Sequence, residues 1–232
     1  MSASGHTTAI GPGEGVNYKS NMPTRTFVSP PRVSPIVPTA RPRPFNDRAW
    51  LFEPKYDGFR GMLYVTRQSC TLYSKRGNRM TRFQALADQL AVELGRRELI
   101  LDGEIVALDD DGRINFWDLM RGRGTLAYAA FDLLWLNGRD LRPVPLSQRK
   151  NRLGKLIPES AGALNRIPCF EADGTELFEA ACQLDLEGIV AKRKEDFYGE
   201  GTPHWYKIKN PAYTQSEGRR ELFEPRGRLA RP

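Results

Sequence analysis

Between residues 50 and 209 the chain keeps returning to short apolar or β-branched runs bounded by tight-turn residues, and almost every run carries a charged side chain inside it. Burying charge costs free energy, so a fold must spend those positions on a shared site or pair them off. The runs read as strands at 50–53, 59–66, 71–74, 99–108, 126–136, 187–192 and 204–209. Asp109-Asp110-Asp111-Gly112 followed by 113–116 predicts a hairpin with an Asp-Gly turn, and Asn137-Gly138 closes the strand before it. Helical spacing interrupts the strands in three places. Phe83, Leu86, Ala87, Leu90, Ala91 and Leu94 recur on one helix face, with a Thr81/Gln84 capping box before them and Gly95 after. Residues 147–157 and 175–184 also read as helices. Strands joined by tight turns, with helices interspersed rather than alternating, predict an α+β fold with antiparallel sheets.

The first 44 residues follow different rules. They hold eight of the 17 prolines and a charge of +4, from Lys19, Arg25, Arg32, Arg41 and Arg43 against Glu14. Proline fixes φ and removes a donor, so a disordered, basic arm is expected over residues 1–33, with the chain lying extended along the body from Ser34. Residues 211–232 add five arginines against three glutamates, and a flexible tail is expected over 212–232. Of the net +7, little belongs to the middle of the chain. Basic tails suit an anionic polymer through counterion release, and equally suit mere solvation. No run approaches 18 apolar residues and no secretory leader is expected. Cys70, Cys169 and Cys182 form no paired spacing, so a reducing, cytoplasmic setting with no membrane is expected.

The embedded charges are Lys55, Glu104, Glu187, Lys192, Lys207 and Lys209. Lys207 and Lys209 alternate with Tyr206 and Ile208 and so share one side of a strand. Gathered in one cleft, these amines and carboxylates make a polyphosphate–metal site; taken singly, each is an ordinary edge-strand charge or surface ion pair. Lys55-Tyr56-Asp57-Gly58-Phe59-Arg60 is the sharpest string, since a lysine buried beside other cations loses its proton and becomes a nucleophile. Alone it is also a charged turn. His6 falls in the arm, His204 reads as structural, and the Asp109–Asp111 run as a solvated turn.

That string resembles the KxDGxR element of covalent nucleotidyltransferases, the ATP-dependent DNA ligases, RNA ligases and mRNA capping enzymes. Leu101-Asp102-Gly103-Glu104 resembles their DGE element, Tyr128-Ala129-Ala130-Phe131-Asp132-Leu133-Leu134 their YxAFDLL strand, Glu187-Gly188-Ile189-Val190-Ala191-Lys192-Arg193 their EGIVAKR element and Trp205-Tyr206-Lys207-Ile208-Lys209 their WxKxK element. The order is the family's, the likeness covers about residues 34–211, and the wording is nearest to the ligase domains of bacterial end joining. The resemblance implies an ATP-grasp-like nucleotidyltransferase fold and a set of roles. Lys55 would take AMP from ATP, with Asp57 assisting at the reacting phosphate and the nick. Glu53 would read the adenine amino group and Phe131 stack on the base, Arg60 and Glu104 would hold the ribose, and Glu187 with Glu104 would bind Mg²⁺ or Mn²⁺. Lys192, Lys207 and Lys209 would neutralise phosphate charge. The family's SRxG-like element becomes Ser74-Lys75-Arg76-Gly77-Asn78, which leaves open whether Lys75 or Arg76 meets the phosphate.

Such ligases continue into an OB-fold domain, and the 23 residues after Lys209 are too few to build one. The expectation is therefore a minimal ligase acting on nicked or broken double-stranded DNA, with room for a protein partner that supplies the missing grip. The alternatives are an RNA ligase or other lysyl-nucleotidyltransferase, or a truncated nucleotide- or DNA-binding subunit that needs a partner for activity.

Overall fold

A computed structural model describes residues 30–95, 97–157, 162–199 and 204–217. The expected arm before residue 30 and the expected tail after residue 217 lie outside the described residues. Eleven strands and four α-helices are present among those described. The first sheet has the order β1-β11-β10-β2-β9, from β1 (Thr39–Ala40), β2 (Asn46–Pro54), β9 (Phe170–Asp173), β10 (Gly188–Arg193) and β11 (Trp205–Lys209). The second runs β4-β3-β5-β6-β7, from β3 (Phe59–Val65), β4 (Cys70–Ser74), β5 (Leu99–Leu108), β6 (Thr125–Leu136) and β7 (Arg139–Asp140), with β8 (Leu164–Arg166) beside β6. All pairings are antiparallel except β1 with β11 and β6 with β8. The helices α1 (Gln84–Leu94), α2 (Phe116–Arg121), α3 (Leu146–Leu156) and α4 (Gly174–Gln183) flank the sheets. This is the expected α+β architecture of antiparallel sheets with helices packed outside. No helix among the described residues is long and apolar enough to cross a membrane.

Alternation along the strands divides the apolar residues into three cores. Leu63, Leu101, Ile105 and Leu133 on the outer side of the second sheet pack against Leu86, Leu90 and Leu94 of α1 and Leu153 of α3. Phe52, Ile189, Ala191 and Ile208 of the first sheet pack against Ala181 of α4. Between the sheets lie Met62, Ile100, Ala129, Phe131, Trp205 and Ile36. Residues 33–36 run over this middle core, where the Val33 N–H donates to the Tyr64 hydroxyl (2.9 Å) and the Ile36 N–H to the Tyr198 hydroxyl (3.3 Å).

Two local expectations fail. Thr81 and Gln84 form no capping box: a 3₁₀ turn, Thr81–Phe83, precedes α1, and Phe83 occupies the cap position with no side-chain bond. The Gln84 amide instead donates to the Cys70 carbonyl and to Asp88, tying α1 to β4. The hairpin after Gly112 does not continue as a strand either. It closes with a single bridge from Leu108 to Ile114, after which Asn115 caps α2 by accepting from the Asp118 N–H (3.1 Å).

Candidate active site

Cross-strand partners share a face, and this alone gathers the charges of the first sheet. Glu53 lies opposite Val190, which lies opposite Lys207; Leu51 lies opposite Lys192, which lies opposite Trp205. Glu53, Lys192, Trp205, Lys207 and Lys209 therefore occupy the face turned away from α4. On the second sheet Arg60 pairs with Glu104, and Met62 with Asp102, on the side that carries Phe131 towards Trp205. The inner faces of the two sheets thus enclose one polar cleft over a short apolar core.

At one end stands Lys55, just past β2. Its N–H donates to the Gly188 carbonyl (2.8 Å) and its Nζ lies 2.5 Å from Glu187 Oε2. The other Glu187 oxygen meets Lys209 Nζ at 3.2 Å. Burial raises the Glu187 pKa, but Lys55 and Lys209 outweigh it and hold the carboxyl below its ordinary value. The cation crowding expected around Lys55 is thus an ion pair with a carboxylate. Glu104 faces the same group: burial pushes its carboxyl up to about 8, with Lys55 and Arg60 opposing the rise and Glu187 and Asp57 adding to it. Asp57 Oδ2 accepts from the Tyr213 hydroxyl at 2.7 Å. The Lys55 turn is pressed against β5, where a Cβ on Gly58 would stand 2.0 Å from the Ile105 carbonyl oxygen.

Deeper in the cleft, Arg60 grips both oxygens of the fully buried Asp102 at 2.9 and 2.5 Å and also donates to the Ile36 carbonyl. The Tyr198 hydroxyl donates to the same carboxylate (2.7 Å). The Arg60 guanidinium stands 5.2 Å from the Phe131 ring centroid. Beside it, Lys192 Nζ lies 4.2 Å from the Phe131 centroid and 4.1 Å from that of Trp205. Lys192 donates to Glu53 Oε2 at 2.6 Å, and Lys150 of α3 lies 2.5 Å from Glu53 Oε1. Burial lowers the Lys192 pKa to about 8, partly offset by Glu53 and reinforced by Lys150.

The predicted residues therefore fall in two groups, with Lys55, Asp57, Glu104, Glu187 and Lys209 at the outer end and Glu53, Arg60, Phe131 and Lys192 at the inner end. Lys207 lies on the shared face between Lys209 and Trp205. Lys75 and Arg76 sit apart, exposed in the turn after β4, whose Ser74 pairs with Gly61 next to Arg60. The sequence reading missed Asp102, Lys150, Tyr198 and Tyr213. Asp102 was legible as a second charge in the apolar run of Glu104; the other three carry no local signal. As a donor set, two amines and three carboxylates at the outer end, with Lys207 beside them, suit a polyphosphate with a divalent cation. At the inner end the buried Trp205 Nε1–H finds no acceptor among the described residues, which suits a base bearing ring acceptors.

Residues 41–209 match the family model described as ATP dependent DNA ligase domain. The multifunctional non-homologous end joining protein LigD of Mycolicibacterium smegmatis is 32% identical over 169 residues, 71% of this chain and 22% of that protein. The SPbeta prophage-derived DNA ligase-like protein LigB of Bacillus subtilis is 29% identical over 192 residues, 79% of this chain and 69% of that one. The chain thus spans about a fifth of the length of the LigD proteins it matches. Among solved structures, mycobacterial DNA ligase D complexed with ATP and MES superposes with a TM-score of 0.65 at 31% identity, covering 76% of this chain and 60% of that one. The ligase domain of M. tuberculosis LigD gives 0.64 at 29% identity, covering 76% and 59%. With the family model spanning most of the chain, the protein belongs to the ATP-dependent DNA ligase domain family, and its two facing sheets are the nucleotidyltransferase fold of those enzymes.

Proposed function

We propose that the chain transfers AMP from ATP to Lys55 and from Lys55 to the 5′-phosphate of broken or nicked duplex DNA, sealing the strand. The single observation that carries this reading is the placement of Lys55 Nζ against Glu187, with Lys209 on the second oxygen and Glu104 alongside. Lys55 Nζ attacks the α-phosphorus of ATP as the bond to the β-phosphate breaks, giving up its proton and releasing pyrophosphate. A 5′-phosphate oxygen then displaces Nζ, which regains a proton, and a 3′-hydroxyl displaces AMP to close the backbone. The Lys55–Glu187 pair must open before the Nζ lone pair is available. Lys207 and Lys209 sit where phosphate charge would gather, and amines aimed at developing charge stabilise the transition state.

Glu187 and Glu104 are the residues that would hold Mg²⁺ or Mn²⁺, which when bound supplies charge neutralisation on the phosphate oxygens. Arg60 would meet the ribose and Phe131 the base; Asp57 would assist at the reacting phosphate, and Lys75 or Arg76 would meet the DNA 5′-phosphate.

The test is intact-protein mass spectrometry after incubation with ATP and Mg²⁺, alongside sealing assays on a nicked DNA duplex, a nicked RNA–DNA hybrid and a pre-adenylated nick. A gain of one AMP that vanishes in Lys55→Ala, with sealing of nicked DNA, is the expected result. An adduct undiminished in Lys55→Ala would overturn the reading. Sealing of the hybrid alone would reassign the acceptor to RNA, and sealing of only the pre-adenylated nick would confine the activity to the last step. The end-joining name of the LigD relatives makes duplex ends a further substrate to offer.

A further inference from the structure

The first sheet has two faces, and the transfer chemistry uses only the one that lines the cleft. Strand alternation and register send Ala191 and Arg193 of β10 to the other face, together with Trp50 and Phe52 of β2 and Tyr206 of β11. Thr39 of β1 pairs with Tyr206, so Arg41, whose N–H donates to the Lys207 carbonyl (3.0 Å), is sent there too. The helix α4 packs on Phe52, Ile189, Ala191 and Ile208. Past its first residue, Gly174, which lies against the Phe52 ring, Trp50, His204 and Tyr206 are only half-buried, and Arg41 and Arg193 are exposed. A sheet face turned to water ordinarily carries polar side chains, and this one carries rings. The rings engage one another. Trp50 stacks on Tyr206 at 5.2 Å between centroids, and Phe45 meets Trp50 edge-on at 5.2 Å. The Arg41 guanidinium lies 4.1 Å from the Phe45 centroid and 5.4 Å from that of Tyr206. Laid on two rings, it keeps its N–H edge for a ligand in solvent.

The charge on this face is of one sign. Glu53 points into the cleft, and Glu171 pairs with Leu51 on the cleft side, where it meets Lys194. Asp173 accepts from the Glu176 N–H at the start of α4, and Asp47, beyond the bulge in β2, accepts from the Ala49 N–H. No ion pair joins Arg41 or Arg193 to a carboxylate among the described residues. Arg43 and Arg48, both exposed, add two cations between Arg41 and Trp50, where Asp47 is the one acid. We propose that this face is a second DNA contact, separate from the cleft, at which Arg41 and Arg193 hold the phosphodiester backbone of duplex DNA. That the polyanion is DNA rests on the functional reading above; the contact itself uses nothing in the cleft. Single strands are gripped by bases laid on free ring faces, whereas these rings already support one another and Arg41. What remains is charge without a stacking platform, which suits the backbone of a duplex. Such a contact reads no sequence and weakens steeply with salt, because each neutralised phosphate releases counterions.

The experiment titrates the full chain against a labelled blunt duplex by fluorescence anisotropy at several salt concentrations. It compares wild type with the double variants Arg41→Gln with Arg193→Gln and Arg41→Lys with Arg193→Lys, with a thermal melt of each. Removing two phosphate contacts should weaken duplex binding about tenfold in dilute salt and lower the slope of log affinity against log salt by about two. The lysine pair keeps the charge and should restore the slope. Both residues lie across the sheet from the cleft, so the rate of adduct formation with ATP should stay within about twofold of wild type. Unchanged affinity and slope in the glutamine pair would overturn the proposal, as would a slope that the lysine pair fails to restore. A single-stranded oligonucleotide or a polyglutamate peptide that binds more tightly than the duplex, and loses that binding in the glutamine pair, would assign the face to a different partner and overturn it too. If the glutamine pair lowers the slope while the wild type forms no adduct, the contact stands and the reading of the cleft fails alone. A wild type that forms the adduct but binds no duplex sinks the contact and leaves the adenylation step intact.

Discussion

Glu104 shows how strongly the cleft acts on one side chain. Burial raises its carboxyl to about 8, against the pull of Lys55 and Arg60. A folded-state value above the unfolded value near 4.5 means that the native protein binds the proton more tightly. Its contribution to stability is complete below about pH 4.5 and is lost as pH rises through about 8. Glu104→Gln has no proton to lose. Its melting midpoint should therefore gain on that of the wild type from mildly acidic pH up to about 8 and then hold level. Paired thermal melts across that range decide it, and a constant difference would show that Glu104 ionises freely in the fold. Position in the sequence made Glu104, Glu187, Lys55 and Lys209 legible, because each interrupts an apolar run where charge is costly. Lys150 was not legible for the opposite reason. Within Arg149-Lys150-Asn151-Arg152 it reads as one of several surface cations on an amphipathic helix, and only the approach of α3 to β2 distinguishes it from the partly exposed Arg152.

At the scale of elements, two close approaches fix the nucleophile. Gly188 opens β10 at φ +135°, a backbone conformation that side chains resist, and an added Cβ would fall 2.1 Å from the Ile208 carbonyl oxygen. Its own carbonyl receives the Lys55 N–H. Gly188→Ala should thus cost more than about 1 kcal/mol of stability and shift Lys55, so that adduct formation drops further than the melting midpoint explains. Measuring both on one preparation separates the two effects. The segment 210–216 is a second device. Thr214 bonds to Asp185 beside β10, Gln215 donates to the Ile114 carbonyl and accepts from the Phe116 N–H at α2, and Tyr213, just before them in the chain, reaches Asp57. Tyr213→Phe keeps the ring and removes the hydroxyl. A buried hydrogen bond to a charged group is worth about 1.5–3 kcal/mol, so strand sealing should slow about tenfold or more with little change in α2 or β10. Unimpaired sealing would show Asp57 to be held by its other contacts. The long strands were readable from composition. The short β1, β7, β8 and β9 were not, since two to four residues carry too little pattern, and α2 was hidden because Ile114 and Phe116 resemble a strand until Asn115 caps the helix.

What holds the sheets in register across the cleft is a matter for the whole molecule. The middle core joins them through Met62, Ile100, Phe131 and Trp205. A second tie comes from α3, where consecutive residues reach a carboxylate on each sheet: Lys150 meets Glu53 of β2, and Arg149 meets Asp132 of β6 with two bonds at 2.8 and 2.9 Å. Arg149 and Asp132 are both fully buried, and Arg149 also donates to the carbonyls of Val144 and of Asp196 beyond β10. Helix, second sheet and the end of the first sheet thus converge on one guanidinium. Such a pair is a poor source of net stability but a severe loss when broken, because the remaining partner is a stranded charge. Arg149→Met should cost about 3–5 kcal/mol, which for a chain of this size lowers the melting midpoint by about 10 °C. Arg149→Met with Asp132→Leu leaves no charge behind and should recover most of that loss. If α3 and the middle core bind the sheets into one cooperative unit, both variants melt in a single transition that moves as a whole. Two separated transitions in Arg149→Met would mean that the sheets unfold independently and that the cleft depends on the middle core alone. An unmoved midpoint would show that the guanidinium contributes nothing to that union.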